Sequence, residues 1–243
     1  MWKKVLVIIG LCLLGGYLIF AAVYFEKKPD DSLCNRFSLA FAQDSLYSMI
    51  DLVDIEKEID AKGLNPYGKQ LKEIDTYKIE ETIVANPLIK SAEVFITNKA
   101  TIQANIVPRK PVLRVITNNK DYYIDSDGKV MPLSKTKTIY LPIVTGRVSE
   151  EFAANQLYQF ALFLENEPFW NAQIEQINVV ESNNIELVPR VGDQKIIFGS
   201  LDNYKEKLEN LMAFYQKGLS ETGWNRYKEI SLKYDKQVVG TKR

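Results

Sequence analysis

Val5 to Phe25, VLVIIGLCLLGGYLIFAAVYF, is a run of 21 residues without a charge, and it constrains everything that follows. At 1.5 Å per residue a helix of this length reaches about 31 Å, close to the hydrocarbon thickness of a bilayer. Trp2 stands at one end and Tyr24 near the other, where amphipathic rings prefer the interface. Lys3 and Lys4 flank the start, and Glu26, Lys27 and Lys28 flank the end. The rival reading is a cleaved signal peptide, whose apolar region is shorter and is followed by a small-x-small cleavage site. Leu11 before Cys12 is too bulky for a lipoprotein signal. An uncleaved anchor over 5–25 is expected. The free amino terminus beside Lys3 and Lys4 tips it toward N-terminus inside, with a short tail at 1–4 and the bulk of the chain beyond the cytoplasm.

The remainder must fold on packing alone. Cys12 falls in the span and leaves Cys34 without a partner, so there is no disulfide framework. The 31 basic side chains balance 31 acidic ones, which removes any global field toward nucleic acid or anionic lipid. With no histidine, imidazole-based nucleophile activation and imidazole zinc sites are excluded, and two cysteines cannot build an all-thiolate zinc site. No cofactor, metal or small-molecule substrate is implied.

After a linker at 26–34, hydropathy periodicity predicts a strand at Asn35–Ala42, a short one at Leu46–Ile50, and a helix from Leu52 to Lys62 capped by Asp51 and stopped by Gly63. A second helix carries Ile79 and Ile83, with Asp75 or Thr76 as its cap and Asn86-Pro87 as its end. Ala92–Thr97 and Thr101–Val107 alternate around Asn98-Lys99-Ala100 and read as a hairpin. Strand, helix, helix, strand, strand makes a small α+β unit over 35–108.

Pro108-Arg109-Lys110-Pro111 marks a boundary. A second domain over 109–240 is predicted with strands at Val112–Ile116, Tyr122–Ile124, Gln173–Val180, Ile185–Pro189, Lys195–Phe198 and Tyr227–Tyr234, and a tail at 241–243. Its helices run from Ser149 to about Asn166, with Ala153, Leu157, Phe160 and Leu164 inward, and from Asp202 to Lys217, with Tyr204, Leu208, Leu211, Met212 and Tyr215 inward and Gly218 as the stop.

Three partial motifs fail their context tests. Gly63 to Gln70 approaches a phosphate-binding loop, but Gln70 replaces the magnesium-holding hydroxyl and no strand precedes it. Ser126-Asp-Gly-Lys129 has the spacing of a serine–lysine nucleophile pair, but Asp-Gly makes a turn and not a helix start. Asp125, Asp127 and Gly128 hint at a calcium loop, with the glycine two positions early and Thr136 where the bidentate glutamate belongs. Cys12 and Gly16 form a small-xxx-small pair that apolar helices carry by chance. From Arg226 onward six basic residues face two acidic ones, which reads either as a solvated edge strand guarded by lysines or as an edge open to a partner's strand.

In order and spacing, the segments resemble the bacterial cell-division FtsQ/DivIB family in its Bacteroidetes-type form. Ile79 to Val94, IEETIVANPLIKSAEV, is similar to the second helix and second strand of that family's POTRA domain. Arg109-Lys110-Pro111 resembles its junction into the β domain, and Tyr123 to Gly128 that domain's opening hairpin. Leu187 to Gly192, Ile197-Phe-Gly199, Lys207 to Tyr215 and the closing YKEISLKY fit the rest. The resemblance implies an α+β chain: one N-terminal transmembrane helix, a POTRA-like domain, then a mixed sheet with flanking helices. It implies a non-enzymatic divisome scaffold in the inner membrane at the septum, with a periplasmic bulk. Its partners would be FtsB paired with FtsL, and other divisome membrane proteins. Strand addition at the last strand would use Lys233, Tyr234, Lys236, Gln237, Val238 and Val239, with Arg109 and Pro111 at the domain junction. Lys233 stands where relatives often have arginine, and Lys236-Gln237 departs from a Ser-Gly pair. An envelope-assembly factor for outer-membrane proteins is the alternative, and the chain lacks room for tandem modules.

Overall fold

The structure, a computed structural model, describes residues 2, 13–21, 32–42, 49–134, 137–181, 183–219 and 223–243. Residues 13–21 are helical, with Leu13, Leu14, Tyr17, Leu18, Ile19 and Phe20 all more than half exposed. Among the described residues no helix is long and apolar enough to cross a membrane, and the rest of the expected span lies outside them.

The first unit pairs β1 (Arg36–Phe41) parallel to β3 (Thr101–Pro108), which pairs antiparallel with β2 (Ile89–Ile96), giving the order β1-β3-β2. Two helices lie between them in sequence, α1 (Leu52–Ala61) and α2 (Thr76–Val84). Asp51 caps α1 by accepting from the Val53 N–H, and Asp75 caps α2 by accepting from the Lys78 N–H. Ile55 and Ile59 of α1, with Ile79 and Ile83 of α2, bury against Ile102, Ala104 and Ile106 of β3. That pattern follows from period 3.6 meeting period 2. Of the short strand expected at 46–50, residues 46–48 lie outside the described residues, and Met49 and Ile50 are buried but not in a strand. Cys34 is buried with its thiol free, and Cys12 is outside the described residues. In the loop after α1, the Lys69 ammonium donates to the Gly63 carbonyl, 2.8 Å, so it is engaged by its own loop.

The second unit is larger. Among the described residues its strands are β4 (Pro111–Ile116), β5 (Asp121–Asp125), β6 (Val130–Met131), β7 (Ile143–Gly146), β8 (Ile174–Glu181), β9 (Asn184–Pro189), β10 (Lys195–Gly199), β11 (Tyr227–Ser231) and β12 (Val239–Lys242). They form one sheet in the order β12-β11-β10-β9-β8-β7-β4-β5-β6. β4, β7 and β8 run parallel, as do β10 and β11; the other neighbours are antiparallel.

Both later parallel steps need helical crossovers. Between β7 and β8 runs α3, α-helical over Glu150–Phe152, π-helical over Ala153–Leu157 and α-helical over Tyr158–Asn166, followed by α4 (Pro168–Gln173). Pro168 at the first turn starts α4, so Gln173 ends a helix and does not open β8 as expected. Between β10 and β11 lies α5 (Tyr204–Phe214), which continues as a π turn through Leu219. Gly218 therefore lies inside the helical segment, not at its stop. Ala153, Leu157, Phe160 and Leu164 are buried, and Phe160 packs on Phe198 (5.5 Å between centroids) and edge-on to Tyr204 (5.4 Å). The opposite sheet face carries a polar chain: Gln176 donates to Thr145 (2.8 Å), Thr145 to Asn178 (3.2 Å), and Asn178 to Glu186 (3.1 Å), which pairs with Lys195 (3.3 Å).

Tyr215 sits 4% exposed between Trp170 and Trp224, its hydroxyl without a hydrogen-bond partner. Burial pushes its phenol up to about 12, while the nearby amides of Gln194 and Gln173 pull weakly the other way without reaching hydrogen-bond geometry. The folded state thus holds this proton more tightly than an unfolded tyrosine. The stability this provides is complete below pH about 10 and is lost as pH climbs toward about 12. Urea denaturation across that window should show wild type losing about 2–3 kcal/mol more than a Tyr215→Phe variant, and parallel curves would refute the assignment.

Candidate functional site

The two units meet at a carboxylate. Asp125, 1% exposed, accepts from the Arg109 guanidinium at 2.8 Å and from the N–H groups of Asp127 (2.9 Å) and Lys129 (2.8 Å). Arg109 is itself only 16% exposed at the side chain. Its N–H donates to the Leu88 carbonyl (2.9 Å), and the Ser126 N–H donates to the Lys110 carbonyl (2.9 Å). Lys90 of β2 reaches Asp127 at 2.7 Å. Pro111 starts β4, where a missing N–H is tolerated. Met49, Tyr123 and Met131 form a small apolar contact beside this junction, backed by Leu88, Ile139 and Leu141. Ser126 to Lys129 is the β5–β6 turn, and its Asp127 carboxylate is taken up by Lys90.

The far end of the large sheet holds the other expected residues. The strand read as Tyr227–Tyr234 stops at Ser231, and it is not the edge. The chain turns through Tyr234–Gln237, with Lys236 left-handed (φ 56°) and the Gln237 N–H bonded to the Tyr234 carbonyl (3.3 Å). It then returns as β12, pairing Val239 with Ser231, Gly240 with Ile230 and Thr241 with Glu229. Thr241 and Lys242, expected to trail as a tail, complete this strand.

Lys233, Tyr234, Lys236 and Gln237 are thus exposed turn residues, Tyr234 by 61%. Val238 is half-buried against the core, and Val239 opens β12. The Arg243 N–H points inward to the Arg226 carbonyl, 3.1 Å. Alternation along an extended strand then turns the N–H groups of Thr241 and Val239 inward as well, and those of Gly240 and Lys242 outward. Val239 therefore offers no outward N–H to an added strand. Gly240 is required where it stands, because a Cβ there would come within 2.6 Å of the Tyr227 ring.

Sequence reasoning missed the side chains that wall this turn. Ser200, Asp202, Asn203, Glu206 and Lys207 enclose with Lys233–Gln237 a cavity of ≈ 220 Å³. Lys207 donates to the carbonyls of Ser200 (2.7 Å) and Phe198 (3.3 Å), and burial lowers its ammonium pKa against the pull of Asp202. The signal available for the turn was Asp235, a residue type that favours tight turns, whereas the left-handed Lys236 carries no such mark in the sequence.

A family profile described as FtsQ/DivIB, C-terminal related, matches residues 110–241, more than half the chain. The chain belongs to the FtsQ/DivIB family. A POTRA-like domain profile matches residues 32–107. No curated protein matches the chain. FtsQ/DivIB chains are membrane division proteins, and their domains, like POTRA domains, are non-catalytic scaffolds with protein partners in division.

Removing the Asp125 carboxylate would strand Arg109 and two backbone donors in a nearly dry site. Asp125→Ala is expected to cost about 3–5 kcal/mol in urea denaturation, with an Arg109→Met/Asp125→Leu pair recovering only the part due to the unpaired guanidinium, since the two backbone donors stay without an acceptor. A loss under about 1 kcal/mol would show that the ion pair is solvated in solution.

Proposed function

We propose that this chain is a non-enzymatic, single-pass scaffold of the bacterial divisome. Residues 5–25 cross the inner membrane, with the N-terminus cytoplasmic and both domains periplasmic at the septum. It links early and late division proteins and binds FtsB, paired with FtsL, by strand addition, helping to control septal peptidoglycan synthesis. The exposed apolar surface of helix 13–21 supports the anchor, since such a surface has no place in water.

The observation that carries the partner reading is the outer edge of β12. It pairs with no strand among the described residues, and it ends a sheet whose other interior ladders are filled. Strand addition draws its affinity from outward backbone groups, here at Gly240 and Lys242, and its specificity from alternating side chains. Tyr234 offers an aromatic anchor beside that edge. Lys233, Lys236, Lys242 and Arg243 favour an acidic incoming segment, with Gln237, Val238 and Val239 shaping the turn and the entry of the strand.

Lys242→Pro removes one outward donor and leaves the inward ladder intact, whereas Lys242→Ala changes only the side chain. With the full chain in nanodiscs and the FtsB–FtsL pair as analyte, the proline variant is expected to bind at least about tenfold more weakly than the alanine variant. Equal affinities for the two would remove β12 as the docking edge. Depleting the protein in its host is expected to give undivided filaments with normal outer-membrane protein levels. Normal division with depleted barrels would favour an assembly factor instead.

A further inference from the structure

The first unit has two ends. At one, the start of β2 and the close of β3 meet the second unit, where Lys90 pairs with Asp127 and Arg109 with Asp125. The other lies eight residues back along β3, about 25 Å away. Three segments build it: the chain entry at 32–35, the turn at 66–71, and the β2–β3 turn at 98–100. The Cys34 N–H donates to the Lys69 carbonyl (2.8 Å), the Gly68 N–H to the Cys34 carbonyl (2.9 Å), the Leu71 N–H to the Ser32 carbonyl (3.0 Å), and the Asn35 N–H to the Ala100 carbonyl (3.0 Å). The chain thus enters the first unit at the end farthest from the second. Seven residue steps (32 minus 25) separate Ser32 from Phe25, where the proposed span closes, and fully extended they reach only about 25 Å.

Apolar exposure gathers at this same end. Among the described residues of 32–108, four large apolar side chains are more than half exposed: Leu33, Val53, Tyr67 and Tyr77. Three of them lie here. Leu33 points outward from a ribbon whose Cys34 and Leu71 are buried. Tyr67 stands at the corner of the turn that the Lys69 N–H closes on the Pro66 carbonyl (3.1 Å), with Gly68 left-handed at φ 76°. Tyr77 is in the first turn of α2, which runs back toward the junction and ends at Val84, just before β2 begins there. Arg36, Lys62 and Lys99 are exposed around them and form no ion pair among the described residues. Of the acids nearby, Asp60 accepts from the Asn65 amide (2.6 Å) and Asp75 caps α2 and pairs with Lys78 (3.2 Å), which leaves Glu73 against three cations.

We propose that this end of the first unit rests on the membrane surface and binds anionic phospholipid headgroups. Leu33, Tyr67 and Tyr77 enter the interface, where amphipathic rings are favoured, and Arg36, Lys62 and Lys99 lie over the phosphates. The proposal rests on the reading that residues 5–25 cross the bilayer, and it adds a second contact to that anchor. Chain length favours lipid over a protein as the occupant, because the tether brings this end to the bilayer whatever else is bound. A tether alone leaves the first unit free to tumble. With its entry end on lipid, β3 rises from the membrane to the junction and sets the height at which the large sheet is held.

The test uses the full chain, carrying Cys12→Ala, in nanodiscs of phosphatidylcholine alone or mixed equally with phosphatidylglycerol. A polarity-sensitive fluorophore is attached at Asn98→Cys, at the lipid end, or at Val84→Cys, at the junction end, while the buried Cys34 stays unlabelled. The Asn98 label is expected to shift to the blue in the mixed nanodiscs and the Val84 label to stay unchanged. Lys62→Glu combined with Lys99→Glu should abolish the shift, and about 1 M salt, which cuts the screening length to about 3 Å, should reduce it. An unshifted Asn98 label, equal shifts at the two positions, or a shift indifferent to the charge reversal would each overturn the proposal. Alkaline carbonate extraction of host membranes separates this contact from the anchor. A chain retained in the membrane with an unshifted label refutes the surface contact alone, and a chain that is released refutes the anchor and the contact together.

Discussion

The Arg109–Asp125 pair ties three things together that would otherwise move separately. It fastens the connector between domains, closes the β5–β6 turn, and fixes where β4 enters the large sheet. A buried ion pair is weak grounds for net stability, because desolvation offsets most of the attraction. Its effect here is on geometry. With three donors on one nearly dry carboxylate, few alternative placements of the turn satisfy all of them, and the adjoining Lys90–Asp127 pair and the Met49–Tyr123–Met131 contact follow from that placement.

From that junction the sheet carries position outward. Six inter-strand steps of about 4.8 Å separate β4, which the connector enters directly, from β12, so that free edge lies roughly 29 Å across the sheet from the connector. The helices α3, α4 and α5 stiffen one face of this span through the Phe160, Phe198 and Tyr204 contacts, and the Gln176-to-Lys195 chain of polar contacts occupies the other. A sheet of this kind is suited to holding a docking edge at a set distance from its attachment point.

Much of this was legible because the long elements repeat their period several times. Ile55 with Ile59, Ile79 with Ile83, and the Ala153–Leu157–Phe160–Leu164 stripe each bury as their spacing predicts. What the pattern missed was short. β7 and β12 have four residues each, too few for alternation to stand out, and β7 is held from both sides by β4 and β8. α4 was hidden because Phe169 and Trp170 after a proline read as readily as loop. Missing β12 moved the sheet edge by one strand, and with it the side to which the Val239 N–H points.

Under the proposed strand addition, the basic character of that edge would serve two ends that looked exclusive in the sequence. A free strand with glycine at its centre is a template for pairing with a second copy of itself, and lysines deter this by placing like charges opposite one another. Lys236, Lys242 and Arg243 lie beside or along β12, and Arg243 is partly neutralised by Asp193 at 3.4 Å. The same charges that penalise self-pairing would favour an acidic strand in the proposed strand addition, so that guarding the edge and choosing its partner would be one electrostatic device. The bare backbone at Gly240 packs against the Tyr227 ring on one face of the sheet, and its outward N–H and carbonyl are the groups that the proposed strand would pair with.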